Sequence, residues 1–343
     1  MHGSRIKNME EFAAKCGVSR PTVSKYFHDP NSVKPSTRAR IEEALEQFDF
    51  RPNIYAINQN RRLTKNIGIV VPYLADPFFA EIARRIEHHC IDAGFSPTLF
   101  SSHGRQELEN DILDSLRSMK PAGVLLAPLG RASDRSRIEK FCAEVPTVLF
   151  DSNIEGIGHA FIGSDNPQFT SQIVEYLCRT GEPPCYFEMK TPPNPNTRKR
   201  RDGYISAMTA AGVEPCIVSV EGEGWKLEDI GFRGSQQVIE ERLLKTDTVL
   251  CTNDRLAIGF LAGCFKKGLQ VGIAQGSDIR VAGLDDHPFS RFTCPPLTTV
   301  AHDYEAISEK SARTLLALIE GGDGSERRIE KLFEGNLVMR ASA

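Results

Sequence analysis

No stretch of this sequence approaches the roughly 20 consecutive apolar residues that a membrane-spanning helix needs, and no membrane partner is expected. The first residues are polar and lack an apolar run, so nothing resembles a secretory signal. The nine cysteines are scattered and include no Cys-x-x-Cys pair. Such an odd, dispersed set in a chain without an export signal is expected to stay reduced in a cytoplasm, and no metal is assigned to it. Among the eight histidines, His88 and His89 are adjacent on a helical stretch and therefore point to different faces, which is poor ligand spacing. Enzyme signatures are missing too. No G-x-G-x-x-G follows the first strand, and neither G-x-x-x-x-G-K-[ST] nor G-x-S-x-G occurs. No enzyme activity is expected, and no catalytic residue or cofactor is assigned.

What is present is an ordinary globular balance, 25% charged and 40% hydrophobic, in a chain of 343 residues. That length fits two or three domains. The net charge of −3 conceals an asymmetry: residues 1–66 hold 12 Lys and Arg against 7 Asp and Glu, a net of +5, and the remainder holds 30 against 38, a net of −8. A basic head on an acidic body points to a polyanionic partner at the N-terminus alone.

The head carries the motif. Asn8-Met9-Glu10-Glu11 has the form of a capping box, and Met9, Phe12 and Ala13 give one apolar face. Gly17 supplies a turn with positive φ, Ser19 caps a second helix, and Pro21 sits in its first turn. Val18 and Val23 point inward, whereas Thr22, Ser24 and Lys25 stay polar. A third helix starts around Val33, Thr37, Arg38 and Ile41 and runs to about Phe48. An ordinary helical hairpin is one reading; a helix-turn-helix, whose second helix enters the major groove, is the other.

The run from Ala13 to Phe27, then Val33-x-x-x-Thr37-Arg38-x-x-Ile41, then Arg51-Pro52-Asn53, resembles the lac-repressor (LacI/GalR) family. The resemblance implies that Arg20 and Pro21 read base edges, Arg20 as a bidentate donor to guanine and Pro21 through apolar contact. Ser24 and Lys25 follow one turn on, for bases or phosphates. Asn8, Ser19, Thr22 and Asn53 complete the expected DNA contacts, chiefly to the backbone. Residues 52–65 correspond to a hinge that forms a short helix on operator DNA, with Ala56, Gln59 and Arg61 assigned to that contact. Gln59 stands where the family usually carries a leucine wedge, so groove docking carries over and the wedge does not.

From residue 66 short apolar strands alternate with amphipathic helices, first over 67–150 and again over 161–284. That rhythm argues two doubly wound parallel-sheet halves, with ligand bound at the carboxyl ends of their strands. The resemblance extends here through Asp76-Pro77-Phe78-Phe79, Ser164-Asp165-Asn166, Arg200-x-x-Gly203-Tyr204, Thr252-Asn253-Asp254, Gly283-Leu284-Asp285-Asp286 and Asn336-Leu337-Val338-Met339-Arg340. It implies a periplasmic-binding-protein-like body. The expected division is a helix-turn-helix head at 1–51, a hinge at 52–65 and an effector and dimerisation domain at 66–343, with crossovers near Ser164, Pro295 and Glu326.

For a sugar-like effector, Asp151, Arg200, Asn253 and Asp285 are the candidate hydroxyl clamps, and Phe78, Phe79 and Trp225 the candidate walls. His302 stands where a polar pocket residue is often found. Phe78 as a core residue and Trp225 as a loop cover are the plainer alternatives, and Asp254 is expected only to cap a helix. No heptad tail closes the chain, so the expectation is a cytoplasmic homodimer on a palindromic operator. Release by a sugar or polyol and DNA binding promoted by a metabolite or partner protein both remain open.

Overall fold

The computed structural model describes residues 6, 8–48, 50, 64–321 and 328–343. Asn53, Ala56, Gln59 and Arg61 of the expected hinge lie outside the described residues, as does Glu326. The chain forms two compact units, Met1–Thr64 and Lys65–Ala343.

The first unit is built on α1 (Met9–Cys16), α2 (Arg20–His28) and α3 (Pro35–Phe48). The Asn8 side-chain oxygen accepts from the amides of Glu10 at 3.0 Å and Glu11 at 2.9 Å, and its side-chain amide lies 3.5 Å from Glu11 Oε1. These bonds satisfy amide donors that the first helical turn leaves open. Gly17 ends α1 with φ +63°. Arg40 of α3 donates to the carbonyls of Cys16 and Gly17, both at 2.8 Å, and so pins the turn. A β-carbon on Gly17 would stand 2.4 Å from that guanidinium. Ser19 caps α2, its Oγ accepting from the Thr22 amide at 3.4 Å. Phe12, Val23 and Ile41 are fully buried, and Phe50 stacks on Phe12 with ring centroids 4.4 Å apart.

In the second unit, β1 (Asn66–Val71), β2 (Ser96–Ser101), β3 (Gly123–Leu126), β4 (Thr147–Phe150), β5 (Ala160–Ser164) and the distant β11 (Ile329–Phe333) form one parallel sheet, ordered β11-β5-β4-β3-β1-β2. Its central strands are apolar throughout because helices cover both faces. Ile67, Ile69 and Val71 pack against α4 (Pro77–Asp92) and α11 (Tyr304–Ile319). Val70, Val124 and Leu126 pack against α5 (Gln106–Met119) and α6 (Arg135–Glu144).

The second half repeats the plan. β6 (Cys185–Met189), β7 (Cys216–Val220), β8 (Thr248–Cys251) and β9 (Arg280–Ala282) form a parallel sheet in the order β7-β6-β8-β9. An antiparallel pair, β10 (Thr299–Ala301) with β12 (Asn336–Val338), continues it through bridges of Thr298 to Ala282 and Ala301 to Asp285. One face packs on α7 (Asn166–Thr180) and α8 (Asn196–Ala210), the other on α9 (Leu227–Glu240) and α10 (Asp254–Lys266).

The chain passes between halves after Ser164, again between β10 and α11, and again between β11 and β12. The last two passages differ from the expected 295 and 326. Pro295 precedes β10, which first adds to the second half, and β11 returns to the edge of the first sheet before the chain leaves it.

Gly17→Ala should destabilise the head by about 1–2 kcal/mol, the cost of a left-handed backbone for an L-residue. Amide hydrogen exchange across α1 and α2 measures it. Unchanged protection would show that Arg40 gives way and the turn relaxes freely.

Candidate functional sites: the recognition helix and the body cleft

The residues expected to face DNA divide by role. Arg20, Pro21 and Lys25 are exposed on α2, and Ser24 is half-buried. Asn8 and Ser19 serve as helix caps, and the Ser19 and Thr22 hydroxyls lie 2.8 Å apart in a mutual hydrogen bond. The caps thus fix the first turn of α2, from which Arg20 and Pro21 project. The expected contacts from Asn53, Ala56, Gln59 and Arg61 lie outside the described residues.

In the body, the carboxyl ends of both sheets converge on a cleft lined by Asp76, Phe78, Asp151, Asn194, Thr197, Arg200, Trp225, Leu227, Asn253, Arg255 and Asp285. Asp151, Arg200, Asn253, Asp285, Phe78 and Trp225 are therefore gathered in one place. Phe79 is not: it is 1% exposed and packs in the core of the first half, because its neighbour Phe78 takes the cleft-facing side of the same helical turn. His302 lies just behind the lining. The remaining space is about 20 Å³, room for about one water.

The lining is bonded to itself. Asp285 Oδ1 accepts from Arg200 at 2.5 Å and from His302 Nε2 at 2.9 Å. Arg200 also donates to Asn166 Oδ1 at 2.9 Å and to the Thr252 carbonyl at 3.0 Å. Burial works to raise the Asp285 pKa, but Arg200 and His302 outweigh it and hold the carboxyl below its ordinary range. Burial lowers the His302 pKa against the pull of Asp285, so the ring is neutral near pH 7. Its Nε2 proton goes to the carboxylate, an acceptor only. Nδ1 then accepts from the Ser164 hydroxyl, 2.7 Å away.

Arg255 joins the halves. It donates to Asp76 of the first half at 3.0 Å, and to Glu228 and the Trp225 carbonyl in the second. Close packing of α9 on α10 brings Glu228 within reach: a β-carbon on Gly259 would stand 2.1 Å from the Glu228 carbonyl. Trp225 also crosses the cleft. Its ring stacks on Tyr73 at 5.0 Å and meets Phe79 edge-on at 6.2 Å. Loop cover and cleft wall are thus both true of it.

The cap expected of Asp254 falls instead to Asn253, which also lines the cleft. Asn253 caps α10 through the Leu256 amide. Asp254 is buried and accepts from the His287 amide at 2.8 Å and from the Ser290 and Thr299 hydroxyls, both at 2.6 Å. It therefore braces the loop beyond β9 that carries Asp285. Burial pushes both Asp254 and Asp151 up to about 7. Asp151 stands at φ +59°, a left-handed state that Asp and Asn tolerate, and Asp285 at φ +121°, which a non-glycine residue holds only where surrounding structure enforces it. Asp76, Arg255, Asn194, Thr197 and Leu227 were missed as site residues. The Asp76-Pro77 helix start and the Asn253-Asp254-Arg255 run were visible, but their pairing across 179 residues was not.

A helix-turn-helix joined in one chain to a two-halved, polar-lined cleft defines a ligand-responsive transcription regulator. Family models match here: the lacI family of bacterial regulatory proteins over residues 8–53 and a periplasmic binding protein-like domain over residues 182–343. The chain belongs to the lac-repressor family, and it is a DNA-binding transcription repressor, not an enzyme. It is 27% identical to the ribose operon repressor of Escherichia coli K12 over 332 residues, 95% of this chain and 97% of that protein. It is 25% identical to the NTD biosynthesis operon regulator NtdR of Bacillus subtilis 168 over 337 residues, 98% of this chain and 100% of that protein. In fold it resembles the lac repressor dimer bound to operator and the anti-inducer ONPF, with a TM-score of 0.83 at 24% identity over 99% of both chains. The cellobiose complex of the regulator CelR gives a TM-score of 0.70 at 23% identity, over 98% of this chain and 100% of that chain. Among the described residues no helix is long and apolar enough to cross a membrane.

The pKa directions carry a stability prediction. Asp151 titrates near 7 folded against an ordinary 3.8, with Lys199, Arg200, Asp285 and Asp76 acting on it. A raised folded pKa contributes stability that is complete below the unfolded value and lost as pH rises through the folded one. Asp254 acts in the same sense, and the depressed Asp285 loses its contribution only in acid. The thermal midpoint of the wild type should therefore fall relative to Asp151→Asn between about pH 4 and pH 7. Parallel curves for the two proteins would show that Asp151 does not titrate there.

Proposed function

We propose that this repressor binds a palindromic operator as a cytoplasmic homodimer, with the two copies of α2 in successive major grooves, and that a sugar-like or polyol effector in the body cleft changes its affinity for that operator. The observation that carries the reading is the cleft itself, polar groups between aromatic faces with its central acid tied to the passages between halves. Phe78 and Trp225 suit the apolar C–H faces of a sugar ring, and the acids suit its hydroxyl edges. The names of relatives agree with this class of ligand: a ribose operon repressor, and regulators crystallised with cellobiose or with ribose. Such a coupling between ligand and operator amounts to about 1–3 kcal/mol in typical cases.

Within the head, the assignment of Arg20 and Pro21 to base edges rests on their exposure at the start of α2. Arg20→Ala should relax base preference at one symmetric pair of operator positions and cost about 1–3 kcal/mol per half-site. Lys25→Ala should weaken all sequences more evenly and flatten the salt dependence. Selection of binding sites from random DNA measures both. A preference unaltered in Arg20→Ala would remove that residue from base reading. In sedimentation at micromolar concentration the protein should run as a dimer with or without DNA, and a stable tetramer would contradict the proposed assembly.

A further inference from the structure

Among its charged groups the cleft holds more acceptors than donors. Three acids line it, Asp76, Asp151 and Asp285, against two bases, Arg200 and Arg255. Both guanidiniums are already engaged at all three nitrogens. Arg200 donates to Asn166, the Thr252 carbonyl and Asp285, and Arg255 donates to Glu228, Asp76 and the Trp225 carbonyl. A phosphate or carboxylate entering here would compete with Asp285, Asp76 and Glu228, whose charges these guanidiniums already balance.

Asp151 shows the opposite need. It is 5% exposed and lines the cleft, and its Oδ1 accepts from Asn196 Nδ2 at 2.9 Å. Its Oδ2 is buried with no hydrogen-bond partner, and the adjoining Asn196 Oδ1 is likewise buried and unpartnered. Lys199 lowers the Asp151 pKa by its charge, yet its Nζ sits over the Phe161 ring, 5.5 Å from the centroid. A buried acceptor without a donor is costly, and one that faces a ligand cavity marks where the ligand supplies the donor. A hydroxyl brings one donor and further lone pairs beside two oxygens that both lack a donor. An ammonium brings donors alone, together with the charge a buried carboxylate needs.

We infer that the effector is an amine-bearing sugar or polyol whose ammonium docks on Asp151, with its apolar face toward Phe78 and Trp225. This rests on the reading of the cleft as the effector site. Burial pushes the Asp151 carboxyl up to about 7, and an ammonium docking on it would draw that value down and release a proton.

Calorimetric titration of the full-length protein tests the inference. The probes are D-glucosamine and D-galactosamine, their hydroxyl counterparts D-glucose and D-galactose, and the corresponding sugar phosphates, with the emission of the single Trp225 followed in parallel. An amine-bearing probe should bind about tenfold or more tightly than its hydroxyl counterpart and alter Trp225 emission saturably. Asp151→Asn should remove that preference. It keeps the acceptor for Asn196 and a residue type that tolerates positive φ, and its thermal melt verifies folding. The inference is overturned if a neutral or phosphorylated probe binds more tightly while altering Trp225 emission, an outcome that leaves the cleft as the effector site. It is overturned together with the cleft reading if an amine-bearing probe binds without a Trp225 response and equally well to Asp151→Asn. Absence of binding by either amine-bearing probe at millimolar concentration counts against it as well.

Discussion

A buried ion pair between Arg200 and Asp285 holds the cleft in order, and much of the body is arranged to make it tolerable. Two charges removed from water are costly, and their attraction offsets that cost only when the remaining donors and lone pairs are also satisfied. Here Asn166, the Thr252 carbonyl and His302 do so. Loss of either charge would strand the other at a cost of about 3–5 kcal/mol. The supporting bonds are also positional. Asn166 opens α7 just beyond the first passage between halves, and His302 follows β10 at the second. Ser164, the last residue of β5, bonds to the far side of the His302 ring. Asp285 is thus joined by hydrogen bonds through His302 to Ser164, at two of the three passages between the halves.

The helix-turn-helix was legible because its signals are local. A cap, a glycine and a proline at fixed spacing each answer to one backbone requirement, and Asn8, Gly17, Ser19 and Pro21 all take the expected places. The alternating body was legible for a different reason. Strands buried on both faces must be apolar throughout, so β1, β3 and β4 stand out as short unbroken runs between amphipathic helices. β11 escapes such a reading. It is an edge strand with Ile329 and Leu332 substantially exposed, and neither alternation nor a continuous apolar run marks it. Without β11 and α11, the later crossovers could not be located.

At the site, residue types were easier to read than their partners. The motif Asp76-Pro77-Phe78-Phe79 offers two aromatics, and only the turn of α4 decides that Phe78 meets the cleft and Phe79 the core. Asn253 and Asp254 are chemically close and adjacent, yet one caps a helix and the other binds a loop. The Arg255 bridge depends on packing that joins distant segments, including the contact of Gly259 with the backbone at Glu228. None of this leaves a periodic trace, because side-chain pairing across a cleft follows from tertiary geometry.

On the proposed function, the contacts that close the cleft are what an effector must displace. Between the halves stand the polar ties of Asp76 to Arg255 and of Asn196 to Asp151, and the apolar stacking of Trp225 on Tyr73. With room for about one water, no ring-sized molecule enters unless the halves part. Parting exposes the Trp225 face and separates Arg255 from Asp76, though Glu228 and the Trp225 carbonyl can keep the guanidinium company within its own half. On the proposed function, the cleft is self-paired when closed and ligand-paired when parted around an effector. A ligand shifts that balance only by the difference in its contacts with the two. Asp151, the acid whose second oxygen the self-paired arrangement leaves without a donor, is where that difference is greatest.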